Sequence, residues 1–414
     1  MLTQEIYELV TIDESLRENM LDIDSWAFGF TLEPETAEAQ AKIVPWDRAR
    51  GVRITDGPLV ACHSSHEYRM RVPGGESVAA SGLTWVGVHP AHRRRGILTK
   101  MIDDHFARSL ARGEVVSTLY AAEPKIYQRF GYGLACPSYA LKLGRGPELR
   151  EVAGSDDLRV VLESADIAVH GPVVREVFAR TRRPGHHATL PDTILEDVFL
   201  DPPAWRQGRE RRRIAAVYDA QGAAAFATFS RKTDWGDTGP VGTLTVLQWA
   251  AVDAASTRRL FSVLADFDLI STAHVKNIAP GDPLLHLLSD VRAVGVGMAD
   301  NLWVRILDLP GAVSGRGYDA DADVVVLLTD AQVPANAGLW RIRIADGVGE
   351  ATRADDGAEA QVIASIQDLS AAYLGGVTLA ELADAGLVTG DAGAIARLSA
   401  AWAGTMRPVS ALNF

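Results

Sequence analysis

The residues best arranged for chemistry lie in one segment, Val86-Gly87-Val88-His89-Pro90-Ala91-His92-Arg93-Arg94-Arg95-Gly96-Ile97-Leu98. An apolar run ends at a proline, and a basic, glycine-containing loop then opens a helical pattern. Backbone N–H groups at a helix start lack intrahelical acceptors, and the helix dipole adds partial positive charge there. Such a loop suits a pyrophosphate, and three arginines add formal charge beside it. Arginines alone read equally well as a solvated helix start. The strand and Pro90 before them decide the matter, because they hold the loop against a sheet.

Other candidate groups are weaker. His63-Ser64-Ser65-His66 and His186-His187 have no cysteine or carboxylate at a recognised ligand spacing, so no metal is expected. Two cysteines, Cys62 and Cys136, are too few for a disulfide framework or a four-cysteine site and read as small buried thiols. The Arg209–Arg213 run reads as a solvated or subunit-facing patch. Trp26, Phe28, Phe30, Trp46 and Trp85, with Asp22 or Asp24, read either as a substrate cavity with acidic anchors or as core.

The elements that must position the loop follow from patterning. Ser15–Phe28 has apolar residues at helical spacing. Val52–Thr55 and Leu59–His63 flank Asp56-Gly57, a two-residue hairpin signal. Tyr68–Val72 and Val78–Val88 flank Pro73-Gly74-Gly75. After the basic loop, Ile97, Leu98, Met101, Ile102, Phe106 and Leu110 form one helical stripe, stopped by Gly113. Val115–Tyr120 reads as a buried strand, Lys125–Phe130 as a short helix opened by Pro124, and Ser138–Leu143 as a strand. A second third of similar rhythm follows, with Val252-Asp253-Ala254-Ala255-Ser256 in place of the basic loop. The last third is rich in Ala, Gly and Asp. It carries strands at Asn301–Leu309, Asp323–Thr329 and Trp340–Ile344, then three helices, one opened by the capping box Thr378-x-x-Glu381. The tail Pro408–Phe414 is half apolar, unlike a disordered terminus, and looks built to dock.

Composition narrows the function classes. The chain has 414 residues, 53 acidic against 41 basic, for a formal net charge of −12. That length suggests two to four domains. The acidic balance argues against duplex nucleic acid as a partner and permits a cationic small-molecule substrate. The N-terminal stretch lacks the pattern of a signal peptide, and no run of 18 apolar residues occurs, so no membrane span is expected and the expected location is cytoplasmic.

Val-x-Val-x-Pro-x-x-Arg-Arg-Arg-Gly resembles motif A of the GCN5-related N-acetyltransferases, the GNAT family, with Leu98 in place of the usual small residue. Ile126-Tyr127-Gln128-Arg129-Phe130-Gly131-Tyr132-Gly133, the length and the terminal Phe414 resemble its Eis (enhanced intracellular survival) branch. The resemblance implies an α/β fold of mixed sheets. A catalytic GNAT domain (1–147) would precede a GNAT-like domain without the cofactor loop (148–295) and a sterol-carrier-protein-like domain (296–414), in a homohexamer. It implies acetyl-CoA as co-substrate and no metal. Val86, Gly87 and Val88 would meet the pantetheine arm. Arg94, Arg95, Gly96, Ile97, Leu98 and Thr99 would hold the pyrophosphate, and Ala122 and Glu123 would line the far side. The family often has histidine at the Tyr120 position and serine at the Ala122 position. Tyr127 would be the general acid, with Tyr132 as packing, and the α-carboxylate of Phe414 the general base. The substrate would be a cationic amine, an aminoglycoside or polyamine-like molecule. A protein lysine, or a lipid held by a non-catalytic C-terminal domain, are the alternative readings.

Overall fold

The computed structural model describes residues 6–355 and 357–414. The earliest residues of the stretch read for a leader, Met1–Glu5, lie outside them. Nineteen strands form among the described residues. In chain order they are β1 (Tyr7–Thr11), β2 (Arg50–Ile54), β3 (Leu59–Arg71), β4 (Ser77–Val88), β5 (Val116–Leu119), β6 (Gly133–Gly144), β7 (Arg159–Ser164), β8 (Arg213–Asp219), β9 (Gly222–Lys232), β10 (Trp235–Gly236), β11 (Gly239–Pro240), β12 (Gly242–Ala251), β13 (Ile270–Ile278) and β14 (Gly295–Ile306). The C-terminal five are β15 (Ala322–Thr329), β16 (Gly338–Ala345), β17 (Val348–Arg353), β18 (Val362–Ser365) and β19 (Thr389–Gly390).

Twelve strands make one sheet in the order β1-β2-β3-β4-β5-β14-β6-β13-β12-β9-β8-β7. Its centre is an exchange. β5 pairs not with β6 but with β14, while β6 pairs with β14 on one edge and β13 on the other. Two units of similar strand pattern are thereby fused through each other's last strand. β14 follows the 295/296 position expected to open the last domain, yet it lies in this sheet. The remaining C-terminal strands form a separate sheet, β17-β16-β15-β18-β19.

Several sequence expectations change in detail. The two short runs read at Leu59–His63 and Tyr68–Val72 are one 13-residue strand, β3, unbroken through Ser64–Glu67. That segment alternates too weakly to be read as a strand, but it pairs with β4 at Ser64↔Thr84 through Glu67↔Ser81, with Ser64, Ser65 and His66 buried and Glu67 exposed. The hairpin at Asp56-Gly57 forms, with Asp56 at φ +56°. Helices α1 (Arg17–Phe28), α2 (Pro34–Ile43), α3 (Ile97–Ala111), α4 (Pro124–Gln128), α5 (Ile167–Arg180), α6 (Asp192–Phe199) and α7 (Ala254–Leu264) cover the sheet. α3 buries Ile97, Met101, Ile102 and Phe106, the stripe read from the sequence. In the C-terminal unit the buried Arg316 donates to the carbonyls of Tyr373 and Trp402, among the rings of Tyr318, Tyr373 and Trp402.

Candidate active site

The site begins where two parallel strands separate. β4 and β5 pair at Ala80↔Val116, Ser81↔Ser117 and Gly82↔Thr118, and at no later position. β4 nevertheless runs on to Val88. Past Gly82 the strands diverge, and the β4 edge facing the wedge keeps backbone N–H and C=O groups that no strand satisfies. An extended amide-bearing chain is the natural occupant of such an edge. On its other edge β4 has a bulge against β3. Ser64 pairs with Thr84 and Cys62 with Gly87, so Trp85 and Val86 together face His63. Trp85 takes the left-handed conformation at φ +56°, which costs a non-glycine residue on the order of 1 kcal/mol. Strain of this kind persists where the surroundings hold it, and bulges re-aim backbone groups. Gly87 is glycine for packing, since a Cβ there would sit 3.2 Å from Ile23 and 3.3 Å from Ala27 of α1.

The basic loop follows. Pro90–His92 makes one 3-10 turn, Arg94 (φ +61°) and Gly96 (φ +79°) are left-handed, and Gly96 is the N-cap of α3. No side chain caps that helix. The first intrahelical bond runs from Lys100 N to Gly96 O, so the N–H groups of Ile97, Leu98 and Thr99 have no intrahelical acceptor. Arg93, Arg94 and Arg95 are exposed beside them, and Arg95 reaches the Tyr7 hydroxyl at 2.7 Å. This arrangement fits a pyrophosphate. Ala122 and Glu123 are exposed in the turn between β5 and α4, on the far side of the wedge.

Tyr127 stands on α4, directly after β5. It packs in one cluster with Leu83 and Val86 of β4, Leu119 of β5 and Leu98 of α3, so its ring lies with the residues of both diverging strands. Arg305 of β14 fixes this short helix from behind. Its Nε donates to Phe130 O (2.8 Å), and its Nη2 is held by both carboxylate oxygens of Asp330 (2.7 and 2.8 Å). Burial, with the Glu123 carboxylate nearby, pushes the Tyr127 phenol up to about 12. Tyr132 is fully buried, with its hydroxyl 2.7 Å from Ser117 Oγ.

The C-terminal tail docks where β4 and β5 part. Val409–Leu412 are buried. The Phe414 ring lies over Gly82, the last paired residue of β4, where a Cβ would meet ring carbons at 2.7 Å. Around it stand His66, Tyr68, Tyr120 and His187, with ring centroids 5.4, 5.8, 5.2 and 6.0 Å away. Burial pushes both histidines down to about 3, and the Arg48 guanidinium adds to the effect at His66, so both imidazoles are held in the neutral form. A cavity of about 200 Å³ opens beside the ring. Thr84, Trp85, Asp197, Asn413 and Phe414 line it. Burial raises Asp197 to about 6 against the opposing pull of Arg212.

Of the expected residues, Val86–Val88, the 94–99 loop, Ala122, Glu123 and Tyr127 lie on or directly after β4 and β5, and Phe414 is placed over Gly82, where those strands part. Of the aromatic set left open between cavity and core, only Trp85 lines the cavity. Trp26 and Phe28 are exposed, and Trp46 donates to Ala41 O and packs in the α1–α2 layer. Asp22 is exposed and Asp24 is buried away from the cavity. Part of the Arg209–Arg213 run is structural, since Arg212 donates to the carbonyls of Asp197 and Val198. Both cysteines are free and buried. Among the described residues no group of three or more His, Cys, Asp or Glu is placed to hold a metal ion, and no helix is long and apolar enough to cross a membrane. Sequence reasoning missed Asp197, Asn301 and the role of Tyr120. A glycine inside a strand, as at Gly82, does signal close approach of another group. Asn301 carried no signal.

Comparison with known proteins agrees with this architecture. Residues 8–135 and 198–306 each match an acetyltransferase (GNAT) domain family, and residues 309–410 match the sterol carrier protein domain family. An uncharacterised N-acetyltransferase of Streptomyces coelicolor is 35% identical over 400 residues, covering 93% of this chain and 95% of that one. N-acetyltransferase Eis of Mycobacterium tuberculosis is 29% identical over 396 residues, covering 92% and 93%. The crystal structure of Eis1 from Mycobacterium abscessus superposes with a TM-score of 0.82 at 26% identity, covering 99% of this chain and all of that one. Two acetyltransferase units fused through exchanged strands, followed by a sterol-carrier-type unit, place this chain in the Eis branch of the GCN5-related N-acetyltransferases.

Proposed function

We propose that this enzyme transfers acetyl from acetyl-CoA to amines of a polycationic small molecule such as an aminoglycoside, by direct attack in a ternary complex. The catalytic unit spans residues 1–147. The unit at 148–295 has no cofactor loop, and 296–414 supplies the chain terminus. Val86, Gly87 and Val88 receive the pantetheine arm along the β4 edge. Arg94, Arg95, Gly96, Ile97, Leu98 and Thr99 take the pyrophosphate, with Ala122 and Glu123 on the opposite wall. Acetyl-CoA supplies an acyl group activated as a thioester. Tyr127, held protonated by its burial, keeps a proton in place for the sulfur. The Phe414 α-carboxylate binds the incoming ammonium and takes the proton that the attacking amine must lose.

One observation carries the reading: the terminal Phe414 is seated over Gly82 at the apex of the β4–β5 wedge. Asp197 adds a second carboxylate to the adjoining cavity, which suits a substrate with more than one cationic group. A volume of about 200 Å³ is below the usual range for a whole drug-sized ligand, so the cavity takes an amine-bearing arm with the rest of the molecule outside. We also propose a homohexamer located in the cytoplasm, with native mass measurement as the check on assembly.

The test is an extension of the chain. Two or three residues added after Phe414 move the carboxylate off its seat. Turnover with a panel of aminoglycosides and polyamines should be lost while CoA still binds. Unchanged turnover in the extended protein excludes the terminal carboxylate as base. Absence of any acetyl transfer by the wild-type chain to the panel excludes the substrate class.

A further inference from the structure

The second unit repeats the wedge of the first. β12 and β13 run parallel as far as Thr245↔His274, after which β12 continues to Ala251 and β13 to Ile278. α7 begins where the cofactor helix would begin. Here, however, the helix start is closed by its own sequence. Asp253 is the N-cap, and its Oδ1 accepts from Ser256 N (2.8 Å) and Ser256 Oγ (2.7 Å) in a complete capping box. A carboxylate thus sits where an anionic ligand would have to sit, and like charge repels it.

The wedge is not vacant, because the chain's own tail runs along it. A cavity of about 400 Å³ remains at its mouth, walled by Trp249, Asp253 and Asn277 on one side and by Met406, Val409 and Ala411 of the tail on the other. Polar side chains grip the tail backbone at alternate residues. Asn301, buried on β14, accepts from Ser410 N at 2.7 Å and donates to Ser410 O at 3.0 Å. Its amide also donates to Asn277 Oδ1 (3.2 Å), and Asn277 Nδ2 donates to Asn413 Oδ1 (3.3 Å). Asn277 takes the left-handed conformation at φ +57°, which asparagine tolerates better than most residues. Finally, Tyr120 donates its hydroxyl to Leu412 O at 2.6 Å. Two residues further on stands Phe414.

We propose that the second wedge is a socket for the C-terminal segment, and that Asn301 and Tyr120 are positioning residues that act on acetyl transfer through Phe414. The strand exchange makes this possible, since it threads β14 between β5 of the first unit and β6, with Asn301 at the register break just before the β5-paired stretch. The proposal rests on the reading of the Phe414 carboxylate as the base.

Tyr120→Phe removes one hydroxyl and keeps the ring against Phe414. Asn301→Ala removes the two-point grip on Ser410. A misplacement of about 1 Å at a reacting group costs around a hundredfold in rate. Each variant should therefore lose about ten- to a hundredfold in kcat, with KM for acetyl-CoA and the CoA dissociation constant within about threefold of wild type. Carboxypeptidase A should release Phe414 faster from each folded variant than from the wild-type chain, a readout that global packing loss at a distant site would not single out. Wild-type kcat together with wild-type resistance to carboxypeptidase in Tyr120→Phe overturns the proposal, even if Asn301→Ala fails to fold. If the C-terminal extension abolishes turnover but Tyr120→Phe does not lower kcat, positioning fails while the base stands. If the extension is fully active, the base reading itself fails.

Discussion

Replacing Gly82 by alanine perturbs the terminal carboxylate without touching the terminus. A Cβ on Gly82 lies 2.7 Å from Cε2 and Cζ of the Phe414 ring. Carbon atoms rest at about 3.5–4.0 Å, so the ring must retreat by about 1 Å. Gly82 has no left-handed φ, so alanine adds no backbone strain there. Overpacking a rigid core costs about 1–3 kcal/mol, but this ring ends a chain and gives way, so the stability cost falls at the low end. The carboxylate sits on the residue that moves. If that carboxylate is the base proposed above, a shift of about 1 Å corresponds to roughly a hundredfold loss of kcat. The assay is steady-state acetylation of an amine acceptor, with CoA binding by calorimetry and thermal melting as controls. Phe414→Ala supplies the second arm of a double-mutant cycle, because it keeps an α-carboxylate but removes the ring that clashes. Adding Gly82→Ala to Phe414→Ala should cost nothing further. A wild-type kcat in folded Gly82→Ala, or an equal loss in both backgrounds, refutes the argument that Gly82 acts through Phe414.

Two further outcomes follow from burial at Tyr127 and at Asp24. Tyr127→Phe should lower kcat at least a hundredfold, with little change in melting temperature or CoA affinity, and kcat of the wild-type enzyme should show no ionisation of this phenol below about pH 10. Wild-type kcat in that variant removes Tyr127 as the acid. Asp24 is buried on α1, and burial lifts its carboxyl to about 7. The folded value lies above the unfolded value of about 3.9, so the native state holds the proton longer and stability falls as pH rises from about 4 to about 7. Asp24→Asn should therefore raise the melting temperature at pH 8 and hardly change it at pH 4. Equal effects at both pH values would show that Asp24 does not titrate as described.

Much of the first acetyltransferase unit was legible because its determinants are local. The helix stripe of α3, the hairpin at Asp56-Gly57 and the turn at Pro124 follow from spacing and turn chemistry. The uncapped helix start follows from Gly96 and the strand before it. The apolar tail signalled docking because an exposed terminus has no use for Val409, Leu412 and Phe414. Polarity misled at β3, where the stretch Ser64–Glu67 inside a strand looked like an interruption.

What the sequence alone determined was a strand–loop–helix of a type suited to an anion, its absence from the second third, and an apolar segment at 408–414 suited to docking. Tertiary structure decided where that segment goes. The exchange of β6 and β14 joins residues far apart in the chain, and no local pattern encodes which strand a strand will pair with. That exchange brings Asn301 beside Tyr120, leaves a second wedge with its helix start sealed by Asp253, and gives the tail a path to Gly82. Position over the β4–β5 wedge is what makes the end of the chain a candidate base, and such a position is a property of packing.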